Sequence, residues 1–143
     1  MRVLSLSLNL AVSIAIAGVV STPLEAAQSA RPAYTREVQS GKAAVIYNAY
    51  QLGEDCKELR PPVIKIVSPP QHGTAIVSRT THQPSYETGN LRYKCNKLAV
   101  PMTVVTYRPS RGYVGTDLVK FHTDLVAPGD TSSSDTSVTL QVR

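Results

Sequence analysis

Soft metal ligands are scarce in this chain. Its 143 residues hold two cysteines, Cys56 and Cys95, and three histidines, His72, His82 and His122. No CxxC occurs, neither cysteine has a histidine at a short ligand spacing, and the histidines stand far apart in sequence, so a metal site has little support. Nucleophile signatures are missing as well. There is no Gly-x-Ser-x-Gly elbow, and Ser132, Ser133 and Ser134 occupy a polar, low-complexity stretch poorly suited to hold a catalytic geometry. No glycine-rich phosphate loop runs into a helix, because Gly112-Tyr113-Val114-Gly115 is followed by a strand pattern. Glu54, Asp55 and Glu58 cluster around Cys56 without a second acidic site, which reads as a solvated face rather than paired carboxylates for glycoside cleavage. These absences lead to the expectation of a non-enzymatic protein that carries no cofactor.

The N-terminus is where hydrophobicity concentrates. Arg2 is followed by an uncharged, mostly apolar run from Val3 to Val20, and small residues come at Ala26 and Ala27. A positive start, an apolar middle and a small-residue end form the order of a secretory signal peptide. A membrane anchor is the competing reading, since the run is near the minimum spanning length of about 17 residues; Ser5, Ser7, Asn9 and Ser13 dilute it. Removing residues 1–26 leaves 117 of the 143 residues, enough for one small domain with no membrane span. The expected location is the periplasm or the extracellular medium. There, an even pair of cysteines suggests a disulfide between Cys56 and Cys95. The net charge of +5 is mild and spread along the chain, in keeping with an ordinary soluble surface.

Period-2 patterning dominates the rest, and no long amphipathic helix follows the signal segment. Residues 27–40 read as a flexible lead, ahead of a domain over 41–143. Strands are expected at Lys42–Tyr47, Val63–Val67, Thr74–Ser78, Leu91–Cys95, Val100–Tyr107, Asp117–Leu125 and Ser137–Val142. A short helix competes at the first, because Ala and Lys favour helices. The turn cluster Ser68–Gly73 makes Thr74–Ser78 the return strand of a hairpin. Asn48–Leu59 and Arg79–Asn90 read as loops, Ala127–Asp135 as a flexible hairpin tip, and Pro101 as a mark of an edge or bulge. About seven strands with turn signals between them imply an all-β, antiparallel β-sandwich.

The most informative stretch joins two of these strands at a tight corner. Tyr107, Pro109, Gly112, Tyr113, Gly115, Asp117, Val119 and Phe121 follow the pattern Tyr-x-Pro-x-x-Gly-aromatic-x-Gly-x-Asp-x-apolar-x-aromatic. This resembles the end of a bacterial Ig-like or cadherin-like sandwich repeat. Pro69-Pro70-Gln71-His72-Gly73-Thr74 is similar to the hairpin that precedes it in such repeats, and Ser137–Val142 to their closing strand. The resemblance implies an Ig-like fold in a single copy. It does not bring calcium with it, because the clustered acidic linker and the neighbouring repeat that such sites need are missing. Trp is also absent, so an antibody-type core is not implied. Asp117 is expected to cap its own corner by accepting backbone N–H bonds, and Gly115 to take a positive φ or to leave no room for a Cβ.

Sandwich modules bind through edge strands and end loops. The expected binding surface combines Tyr86 of the 80–90 loop with Arg111 and Tyr113 of the corner, and Arg92 and Lys94 form a further basic stripe. Tyr93 is placed on the opposite face from Arg92 and Lys94, so stacking and charge would not cooperate and nucleic acid is not expected as a partner. A protein or envelope glycan is. A small secreted hydrolase or an enzyme inhibitor working from end loops, and a passive envelope protein, are the alternatives.

Overall fold

The computed structural model describes residues 33–127 and 130–143. The expected signal segment over 1–26 and the start of the expected lead lie outside the described residues. Strands run over β1 (Ala33–Val38), β2 (Ala44–Ala49), β3 (Val63–Ser68), β4 (Gly73–His82), β5 (Val100–Pro109), β6 (Gly115–Ala127) and β7 (Asp130–Val142). They form two sheets, ordered β1-β7-β6-β3 and β2-β5-β4. Every pairing is antiparallel except β1 with β7, which is parallel. No helix among the described residues is long and apolar enough to cross a membrane.

The inner faces follow the period-2 pattern. Val105 and Tyr107 of β5 meet Val119 and Phe121 of β6, and Val138, Leu140 and Val142 of β7; Ile46, Ile64 and Val38 complete this core. The other face of β5 is buried as well. Met102 and Val104 pack with Val100, Leu52 and Cys95, and with the partly buried Tyr50, Cys56 and Tyr86. The segments before β3 and before β5 thus fold over one end of the three-stranded sheet as a third layer. This is why Val100–Tyr107 reads as an almost unbroken apolar run rather than an alternation. A disulfide between Cys56 and Cys95 holds the two segments together, with their Cα atoms 5.4 Å apart. Arg79 ties the layer down from beneath, donating to both carboxylate oxygens of Glu58 at 2.6 and 2.8 Å and to Thr103.

Several expectations are corrected. Leu91–Cys95 is not a strand: Tyr93–Lys97 forms a 3-10 turn. Its alternation has no neighbouring strand to pair with. Asn90 and Asn96 instead bond backbone locally, Asn90 accepting from the Arg92 amide and Asn96 bonding both the N–H and the carbonyl of Tyr86. Gly73–His82 is not the return arm of a hairpin, because β3 pairs with β6 and β4 with β5. The Pro69–His72 segment is a crossover between sheets. Part of the lead, Ala33–Val38, is a strand seated on β7. The supposed hairpin tip is largely ladder, with Ser132–Asp135 paired to β6. Pro101 lies in a central strand, but beyond the end of the β2 pairing at Thr103, so its missing N–H costs the ladder nothing on that side.

Candidate functional site

The corner between β5 and β6 and the crossover between β3 and β4 lie together, and Asp117 is what joins them. It is 4% exposed. Its carboxylate accepts from the amides of Gln71 and His72 at 2.9 Å each, from the Leu118 amide at 2.9 Å and from the Tyr107 hydroxyl at 3.0 Å. The expected cap is therefore made, but chiefly to the other crossover rather than to its own turn. Burial alone would raise the carboxyl pKa. The bonds from Gln71, His72, Leu118 and Tyr107 outweigh it and hold the group below its ordinary range. Burial first, and then the hydrogen bond to Asp117 and the charge of that carboxylate, push the Tyr107 hydroxyl up. Tyr113 stacks on His72 with ring centres 4.2 Å apart and donates to the Thr116 carbonyl at 2.7 Å. Gly115 has φ +141°, and a Cβ there would lie 3.0 Å from the Tyr113 hydroxyl. A cleft of about 220 Å³ opens beside Asp117, lined also by Ser68, His72 and Thr116. Both oxygens of its one carboxylate are already committed to the fold.

The residues expected to form one binding surface fall into two groups. Arg111 and Tyr113 lie at the Pro109 end of β5. Tyr86, Arg92 and Lys94 lie in the third layer at the Val100 end, about 30 Å away at the usual rise of a strand. Two of them serve the fold: Tyr86 packs edge-on against Tyr50 at 5.4 Å, and Arg92 Nε donates to the Leu52 carbonyl at 2.6 Å. Burial raises the Tyr86 hydroxyl pKa, with Tyr50 adding to the shift and Arg92 opposing it. Lys94 is exposed. Around it the 3-10 turn presents Leu91 at 71%, Leu98 at 50% and Tyr93 at 46% exposure, while the fully buried Cys95 anchors it. Because the segment turns, Tyr93 is outward on the same short element as Lys94 and Lys97.

His122 stands on the outer face of the four-stranded sheet. Nδ1 lies 2.8 Å from Asp135 and Nε2 3.0 Å from Asp124. The Asp135 bond raises its pKa, desolvation opposes, and Asp124 adds to the rise. His82 takes the Gln83 amide on its own Nδ1. Of the acidic trio, Glu58 is held by Arg79 and Asp55 lies 3.7 Å from Lys57. No group of three His, Cys, Asp or Glu placed to hold a metal ion occurs among the described residues.

No family model, curated protein or solved structure matches this chain. Its sites must be judged on their own geometry.

A second cleft went unread in the sequence. It holds about 250 Å³ between the edge strands β1 and β2, and is lined by Tyr34, Arg36, Val45, Ile46, Tyr47 and Asn48. Its two walls belong to different sheets. No local pattern links Tyr34 with Asn48, and the polar, Pro32-containing stretch that holds β1 reads as loose lead. For the turn, the signal is present in Leu91, Tyr93 and Leu98 beside Arg92, Lys94 and Lys97, but the strand pattern over Leu91–Cys95 turns Leu91 and Tyr93 inward.

Proposed function

We propose that this chain is an exported, non-enzymatic Ig-like module that binds a protein or cell-envelope component in the periplasm or outside the cell. The observation that carries the reading is the disulfide-held turn, where exposed Leu91, Tyr93 and Leu98 stand beside Lys94 and Lys97. Large apolar side chains kept in water on a rigid mount are characteristic of contact surfaces. A staple lowers the ordering cost that binding would otherwise meet.

The Ig-like assignment is supported by strand order. In that plan the second, fifth and fourth strands share one sheet, and the last, sixth and third share the other; β2-β5-β4 and β7-β6-β3 follow it. Export is supported by the Arg2, apolar-run and Ala26-Ala27 order together with the disulfide. The hydrolase alternative is disfavoured at its best candidate base. Both ring nitrogens of His122 face carboxylates, an arrangement that retains a proton rather than abstracting one.

The test is capture of partners from envelope extract by the immobilised protein, with Tyr93→Ser/Lys94→Glu as the probe and Ser133→Ala as control. The double variant should lose captured species that the control keeps, with both melting as the wild type does. Equal capture by all three forms would remove the turn from the reading.

A further inference from the structure

The cleft between β1 and β2 gathers polar side chains that the fold does not use. Several others are spent on the fold: Asp117 on two crossovers, Arg79 on Glu58, Arg92 on Leu52, Asn96 on Tyr86. In the cleft, the side chains of Tyr34, Arg36, Tyr47 and Asn48 make no hydrogen bond or ion pair with any described residue. Among the described residues, the Arg36 guanidinium has one recorded partner, the Tyr34 ring, 5.9 Å from its centre. No carboxylate is among the described residues that line the cleft. The mount is firm, since Ile46 is 2% exposed and the Tyr47 ring rests on Phe121 at 4.6 Å.

We infer that this cleft binds a carboxylate-bearing sugar, one uronic-acid ring of an anionic glycan. The half-exposed Tyr34 offers an apolar ring face, the Tyr34 and Tyr47 hydroxyls and the Asn48 amide meet sugar hydroxyls, and the Arg36 fork meets the carboxylate. The volume lies below the roughly 300–1,000 Å³ of drug-sized pockets, which suits a single ring of a longer chain. The net charge of +5 favours approach of a polyanion. An extended peptide is the competing occupant of an edge. Here the register of β2 shifts between Val45 and Tyr47, and such a bulge bends the strand and spoils the regular template an added strand needs. The site does not depend on the disulfide-held turn.

Trigalacturonate, its fully methyl-esterified form and the acidic peptide acetyl-Glu-Ala-Glu-amide are titrated into isotope-labelled protein expressed from the whole chain, with NMR as the readout. Trigalacturonate should move the Arg36 Nε–H and Asn48 side-chain signals saturably, and the ester should bind about tenfold more weakly, since a charge-assisted pair is lost. Arg36→Gln and, separately, Asn48→Ala should weaken the acid form, the former abolishing its advantage over the ester. Tyr93→Ser should leave it unchanged. Equal affinity for acid and ester, shifts centred elsewhere, or no shift at millimolar sugar overturns the assignment. Tighter binding of the peptide at the same signals overturns it in favour of a strand-docking edge.

Discussion

Asp117→Ala is the substitution that asks most of this structure. The carboxylate is buried and receives three amides and one hydroxyl, at 2.9 to 3.0 Å. A hydrogen bond to a charged group contributes about 1.5–3 kcal/mol, and a stranded buried donor costs about 1–3 kcal/mol. The four are not additive, and water can reach some of these donors from the cleft that Asp117 lines. A loss of about 3–5 kcal/mol follows, well below the sum of four such bonds. Against a total of about 5–15 kcal/mol for a domain, that is a large fraction of the stability. Asp117→Asn keeps the volume but turns one acceptor into a donor that faces an amide, so it should also lose stability, though less. The pH dependence provides an independent arm. Because the folded-state carboxyl lies below the ordinary 3.8, the unfolded chain takes up the proton first as pH falls. The contribution is present above about 3.8 and disappears as pH drops through the folded value. Urea unfolding of wild type and variant from pH 7 down to pH 2.5 reads both effects. A difference under about 1 kcal/mol at neutral pH, or one that stays constant to the acid end, would refute the claim that this carboxylate joins the two crossovers.

Five further substitutions have expected outcomes. Cys95→Ser should lower stability by about 4 kcal/mol in urea unfolding, because the bond closes a loop of sequence separation 39; reduction of the wild type should reproduce most of the loss. Gly115→Val should lower the melting temperature through strain of about 1–3 kcal/mol at φ +141°. Gly73→Ala should do so more strongly, since its Cβ would fall 2.5 Å from both the Arg108 carbonyl oxygen and the Tyr107 ring. Ser133→Val, on the exposed arm of β7 opposite Asp124, should be tolerated, as Val suits a strand. His122→Gln should destabilise most at acid-to-neutral pH. The folded-state pKa is raised above 6.5, so the contribution is full below about 6.5 and is lost as pH rises through the folded value. A wild-type-minus-variant difference that stays level from pH 5 to pH 9 would count against it.

Much of the fold was legible because it rests on local signals. The alternation of Val138, Leu140 and Val142, of Val119 and Phe121, and of Ile64 and Ile66 places one face of each strand inward whatever its neighbour turns out to be. Pro109, Gly112 and Gly115 mark a corner through backbone geometry that needs no partner. The even cysteine pair behind a signal-like N-terminus points to the bond that the structure contains. What stayed hidden depends on partners distant in sequence. Whether Pro69–Gly73 closes a hairpin or crosses between sheets is decided by the pairing of β3 with β6 and of β4 with β5, and no turn signal carries that information. Leu91, Tyr93 and Cys95 alternate as a strand would, yet no neighbouring strand receives them, so the side-chain amides of Asn90 and Asn96 and the disulfide fold the segment into a turn and leave Leu91 and Tyr93 in water. The cleft is the extreme case. Tyr34 and Asn48 line one cleft because β1 joins one sheet and β2 the other, and only the stacking of the two sheets sets their edges side by side. Period and turn chemistry determine which residues face a core; the pairing of strands and the stacking of sheets decide which exposed residues face each other.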